Sequence, residues 1–283
     1  MCSTSSARWC GLPPSPPRPL RCGVVVYLHV PKTGGTAVTQ FLHQQATGGR
    51  NSWWSTTVNE QNTWASIVAR MQQQQRPRQI VIHHVDTHVA LSNATLQRAF
   101  IKPLECWLRG KGCRLVITTT LREAASRATS AAFYNRVPHE RYSEWVAEHA
   151  SNGMTSFLLY NRLRLRRQNR TLPMTKQSLG HAEAFLSGMH AVGRTEELTA
   201  YLAYMHHLLN GNSSSSALSS QVSRENATPE RFKYGLTAEE QAWTRERTML
   251  DQQLYESFCS DACPMRHPEP RQPLEPCLSL IHI

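Results

Sequence analysis

Hydrophobic positions follow two rhythms along this chain. Val24-Val25-Val26-Tyr27-Leu28-His29-Val30 is an unbroken β-branched and aromatic run, the pattern of a strand covered on both faces. Gln79 to His83 predicts a second strand. Arg114 to Thr120, again continuous and β-branched, predicts a third. Elsewhere apolar residues recur at helical spacing, first from Thr36 with Val38, Phe41 and Leu42, then over Thr63 to Met71, Thr95 to Leu108, Arg122 to Tyr134 and His139 to Ala150. Thr155 to Arg166, Thr175 to Ser187, Glu196 to Leu209 and Thr237 to Phe258 continue that rhythm. Strands alternating with helices predict an α/β fold with a parallel sheet covered on both faces.

The ends break the pattern. Residues 1–23 are rich in Pro, Ser and Arg and predict a disordered leader; residues 259–283 predict an irregular Pro-rich tail. Residues 24–258 remain as one domain, with a Ser-rich surface loop over Gly211 to Ser220. No internal repeat is present.

Composition narrows the class. The chain has 283 residues, 40% hydrophobic and 18% charged, which excludes a wholly disordered or membranous protein. The formal net charge of +11 selects polyanionic partners: nucleic acid, anionic lipid, acidic polysaccharide or a phosphate-rich cofactor. Among the eight cysteines no pair of CxxC motifs occurs, so no zinc site is expected. Cys106 with Cys113, or Cys259 with Cys263, would form a disulfide in an oxidising lumen; free, partly buried thiols are the alternative. Sequons at Asn93, Asn169, Asn212 and Asn226 lean toward a secretory route. The run from Val24 to Val30 is too short to span a bilayer, and the sequence is expected to lack its true beginning.

The chemistry concentrates at two strand ends. Pro31-Lys32-Thr33-Gly34-Gly35-Thr36 joins the first strand to a helix. Its glycines bring backbone N–H groups near an anion, the helix start adds a positive dipole end, and Lys32, Thr33 and Thr36 add donors. A magnesium–nucleotide loop carries its Lys after the glycines; here Lys32 precedes them, which disfavours a nucleotide-dependent kinase. The fold is therefore expected to be a single P-loop-like domain, its central parallel sheet flanked by helices. At the exit of the third strand, Arg122 sits where open α/β sheets bind ligands, and Ser130 follows about two helical turns later.

PKTGGT after a strand, then LRExxSRxxS at a later strand end, resembles the carbohydrate sulfotransferases of the heparan sulfate 2-O- and 6-O-sulfotransferase type. Val192-Gly193-Arg194-Thr195-Glu196, Asn152 to Leu158, and Asp251 with Leu254-Tyr255 resemble later segments of that family. The likeness runs from Val24 to about Phe258. It implies 3′-phosphoadenosine 5′-phosphosulfate (PAPS) as co-substrate, with no metal. Lys32, Thr33, Gly34, Gly35 and Thr36 would grip the 5′-phosphosulfate, and Lys32 would also stabilise the leaving phosphate. Arg122 and Ser130 would hold the 3′-phosphate; Arg127 either assists or faces solvent.

His84-Val85-Asp86 resembles the HxD stretch of the 6-O branch, so His84 is the expected general base. His83 is the close alternative and Glu123 a weaker one. Asp86 would orient the imidazole, although Thr87 stands where that branch has Trp. The implied partner is an acidic glycan acceptor and not nucleic acid, in the Golgi lumen, and the resemblance implies a membrane anchor in the full-length protein. Arg162, Arg164, Arg166 and Arg167 are either a chain-binding stretch or an exposed helix edge. A polyanion-binding protein that keeps the fold without turnover is the non-enzymatic alternative.

Overall fold

The computed structural model describes residues 19–20, 22–48, 54–58, 69, 80–85, 101–159, 174–210 and 229–259. Strand β1 (Gly23–Leu28) lies at the centre of a five-stranded sheet. It pairs in parallel with β3 (Ile80–Val85) on one side and β4 (Arg114–Leu121) on the other. Strand β2 (Trp54–Val58) lies outside β3, and β5 (Ala191–Arg194) outside β4, both parallel. The order β2-β3-β1-β4-β5 sends the chain to one side of β1 and then to the other. The carboxyl end of β1 is thus a topological switch point, where open α/β sheets bind ligands.

The hydrophobic run that predicts β1 is explained by its surroundings. Val24, Val26 and Leu28 enter one core and Val25 and Tyr27 the other. The first core is built from α2 (Lys102–Gly110), α5 (Gly153–Leu159), α6 (Lys176–Ser187) and α9 (Met249–Cys259). The second is built from α1 (Gly35–Gly48) and α7 (Leu198–Asn210), through Val38, Phe41, Leu42, Tyr201 and Met205. A smaller third cluster joins α3 (Ala124–Tyr134) to α4 (Tyr142–His149), with Tyr234, Leu236 and Trp243 against it. The α/β expectation holds: the sheet is parallel and helices cover both faces.

Several boundaries shift for local reasons. Pro103 sits in the first turn of α2, where its missing N–H is no loss. A single 3₁₀ turn, His139–Arg141, precedes α4. The helix predicted over Thr237 to Phe258 divides into α8 (Ala238–Arg247) and α9 at Thr248, whose hydroxyl donates to Thr244 O at 2.9 Å. Strand β2 was not predicted, because Trp54-Ser55-Thr56-Thr57-Val58 has polar residues at its centre.

The cysteine pairing is corrected. Cys113 bonds to Cys22, 91 residues away, and not to Cys106. Adjacent strands β1 and β4 begin one residue after these two cysteines, and a long-range pair of that kind leaves no mark in local spacing. Cys106 is also disulfide-bonded. The leader over 1–18, most of the helix predicted at Thr63 to Met71, the arginines from 162 to 167, the Ser-rich loop, the four sequons and the tail from 260 lie outside the described residues.

Candidate functional site

The loop from Pro31 to Gly34 turns the chain from β1 into α1. Lys32 has φ +69° and Gly34 φ +81°; the second is the left-handed region that glycine enters without a Cβ penalty. A Cβ on Gly34 would also approach Leu198 Cδ2 to 3.3 Å. Thr33 was expected to offer its hydroxyl to the anion, but that hydroxyl is buried and donates to Val30 O at 2.8 Å. Thr120 donates in turn to Thr33 O at 2.8 Å, and the Tyr27 hydroxyl lies 2.7 Å from Thr120 Oγ1. Thr33 therefore anchors the loop to β4.

Three consecutive threonines in a buried strand need three sets of partners. Thr118 donates to Ala191 O and meets the Tyr201 hydroxyl; Thr119 donates to Leu28 O; Thr120 holds the loop. They tie β4 to the carboxyl end of β1, to the start of β5 and to the loop, and set the place of Arg122.

Arg122 and Lys32 are brought together. Arg122 Nη1 makes a long contact, 3.4 Å, with Lys32 O. Burial first, and then the charge of Arg122, push the Lys32 ammonium below its ordinary value. Burial likewise lowers Arg122, against the opposing charges of Glu196 and Glu123. Among the described residues neither cation has a carboxylate within ion-pair distance. The Lys32 ammonium rests instead 4.0 Å above the Tyr134 ring.

Helix α3 supplies the next wall. Glu123 caps it, accepting from the backbone N–H groups of Ala125 and Ser126. Ser126, Ser130 and Tyr134 recur at intervals of four and so share one face. That face carries the Lys32–Tyr134 contact, so Ser130 stands on the same side as the two cations.

Arg127 neither assists at this face nor meets solvent. It is 2% exposed, donates to Ala150 O at 2.8 Å and pairs with Asp251 at 3.7 Å. Asp251 also accepts from the backbone N–H groups of Met154 and Thr155, both at 2.8 Å. Gly153 makes room, since a Cβ there would meet Arg127 Nη2 at 2.4 Å. Arg127 and Asp251 thus join α3, α5 and α9 behind the site.

Glu196 was noted in the sequence only as part of a resemblance. Its carboxylate accepts from Glu123 N at 3.2 Å and from the Tyr255 hydroxyl at 3.0 Å, while Arg194 Nε donates to that hydroxyl at 3.0 Å. Tyr134 was missed too, although its spacing of four from Ser130 was a usable signal. Beside the start of α1, His29, Thr36, Thr39, Gln40 and His43 line a cavity of about 330 Å³.

In β3, His83 stands level with Val26 and His84 with Tyr27, so the backbone brings both to the carboxyl edge. Asp86 and Thr87 lie outside the described residues. No group of three or more His, Cys, Asp or Glu able to hold a metal occurs among the described residues. No described helix is long and apolar enough to cross a membrane.

No protein-family model matches the chain, and no curated protein does. Among solved structures, mouse sulfotransferase SULT7A1 complexed with PAP is similar over 85% of this chain and 85% of that one, at 9% identity and a TM-score of 0.38. A likeness at that level carries no argument about this chain.

Proposed function

We propose that this chain is a PAPS-dependent sulfotransferase acting on a hydroxyl of an acidic, glycosaminoglycan-like glycan. One observation carries the reading: two cations, Lys32 and Arg122, stand side by side at the carboxyl edge of β1 and β4, and among the described residues neither has a carboxylate within ion-pair distance. Two half-buried like charges repel, and a bound polyanion relieves that repulsion. The glycine turn at Gly34 and the start of α1 suit the same anion.

In this reading Lys32 and the backbone through Thr36 hold the 5′-phosphosulfate, and Lys32 neutralises the charge that gathers on the departing phosphate. Arg122 and Ser130 take the 3′-phosphate. His84, or His83 as the alternative, accepts the proton of the attacking hydroxyl. The domain extends over about residues 24–258. The Cys22–Cys113 disulfide favours an oxidising compartment such as the Golgi lumen.

Calorimetric titration tests the donor site. The protein is expected to bind 3′,5′-ADP, with Arg122→Ala weakening binding by about 1.5–3 kcal/mol, the range for a hydrogen bond to a charged group. 5′-AMP, which lacks the 3′-phosphate, is expected to be nearly insensitive to that substitution. Tight binding of ATP–magnesium with none of 3′,5′-ADP would overturn the reading.

A further inference from the structure

The end of α3 carries a second group of cations that the loop chemistry does not use. Helix α3 stops at Tyr134, and Arg136 follows at φ +54°. The Arg136 guanidinium lies over the Phe232 ring, 4.8 Å from its centroid. Arg231 lies over the same ring, also at 4.8 Å. Both arginines are exposed and Phe232 is half-buried.

Phe232 ends a short 3₁₀ turn, Glu230–Phe232, and the strap around it is fixed to the helix. The Tyr234 ring packs edge-on against Phe133 at 4.9 Å and stacks with His139 at 4.4 Å. Residues 133–136 therefore touch the strap and the phosphate loop alternately. Phe133 meets Tyr234, Tyr134 carries the Lys32 ammonium, and Arg136 covers Phe232.

The nearby carboxylates are engaged elsewhere. Glu230 pairs with Lys233, and Glu240 with His139. Among the described residues no carboxylate pairs with Arg136 or Arg231. Two guanidiniums held against one ring have lost part of their conformational freedom, and each keeps N–H groups for an oxyanion. Planar forks of this kind match sulfate and carboxylate groups.

We propose that Arg136 and Arg231, fixed by Phe232 beside Tyr134 and Lys32, form a subsite for a sulfate or carboxylate group of the saccharide acceptor. The proposal rests on the sulfotransferase reading for its choice of saccharide. The arginine stretch at 162–167 lies outside the described residues and stays a separate candidate. In this arrangement the anionic sugar lies next to the one whose hydroxyl reacts, so the enzyme selects acceptors that are already charged.

The test compares the double variant Arg136→Ala/Arg231→Ala with a control, Arg109→Ala/Lys111→Ala. The control removes the same charge at the turn before β4, at the opposite edge of the sheet. Each full-length protein is titrated with a heparin-derived tetrasaccharide, with its fully desulfated, carboxyl-reduced counterpart, and with 3′,5′-ADP. Loss of two exposed charge-assisted contacts is expected to weaken the charged tetrasaccharide about tenfold, while the control and the 3′,5′-ADP affinity stay unchanged. Both variants are expected to unfold at the wild-type temperature.

Equal weakening in the control, or an unchanged double variant, overturns the subsite. So does loss of binding to anionic phospholipid vesicles without any loss of saccharide binding. Failure of wild type to bind 3′,5′-ADP would instead remove the donor reading, and the saccharide titrations would still decide whether the arginines form an anion site.

Discussion

Lys32 and Gly34 both lie in the left-handed region, at φ +69° and +81°, but only the glycine adopts it without a Cβ penalty. A non-glycine residue there costs about 1–2 kcal/mol, and Lys32 bears that strain at the residue proposed above to meet the anion. Gly34 bears none, and a methyl group would add both strain and a 3.3 Å contact with Leu198. Gly34→Ala is therefore expected to lower stability by about 1–2 kcal/mol, read as a lower thermal midpoint, and to weaken 3′,5′-ADP binding. Unchanged values for both would mean that the turn is not held as described. The Lys and glycines were legible in the sequence because their spacing is local. The inward turn of Thr33 was not, since its contact at Thr120 lies 87 residues away. Nor was the rest of Lys32 on Tyr134, a contact made across the loop and the far end of α3.

At the scale of elements, helices α3, α5 and α9 meet at one ion pair. Burial lowers Arg127, while the Asp251 charge opposes that shift. The pair is almost wholly buried, at 3% and 0% side-chain exposure. Asp251 does two further tasks, since it takes the first backbone donors of α5, which have no acceptor within their own helix. Removing it leaves a buried cation and two orphan N–H groups. Asp251→Ala is expected to cost about 3–5 kcal/mol, measured by chemical unfolding, whereas Arg127→Met/Asp251→Asn should lose much less. If the single and double changes cost the same, the pair does not hold the helices together. The helical periods of α3 and α9 were legible, and Asp251 was visible as a motif residue. Its partner was not: Arg127 follows Ser126 on a helix that reads as amphipathic, and a local pattern cannot tell a buried arginine from a solvated one.

Across the whole molecule, the site depends on β1 and β4 keeping their register, because Lys32 follows one strand and Arg122 the other. The threonines fix that register at the carboxyl edge. At the opposite edge Arg114 N donates to Cys22 O at 3.3 Å, and the Cys22–Cys113 disulfide closes a loop of 91 residues. The parallel sheet was legible from buried β-branched runs, and the place of the candidate site at the carboxyl edge from the order strand, glycine turn, helix. The disulfide was not, since pairing across 91 residues is set by the register of two strands and leaves no trace in spacing. Its effect follows from loop length. A cross-link over so long a loop removes unfolded-state entropy worth about 4.6 kcal/mol in the chain-entropy estimate, a large part of the roughly 5–15 kcal/mol that holds a domain together. Cys22→Ser/Cys113→Ser is therefore expected to lower the unfolding free energy by about 2–5 kcal/mol. The 3′,5′-ADP affinity of the molecules that stay folded should be preserved, because the threonine contacts at the carboxyl edge are intact. A variant that kept its stability but lost the ligand would show the reverse: that the amino edge sets the distance between Lys32 and Arg122, and the threonines do not.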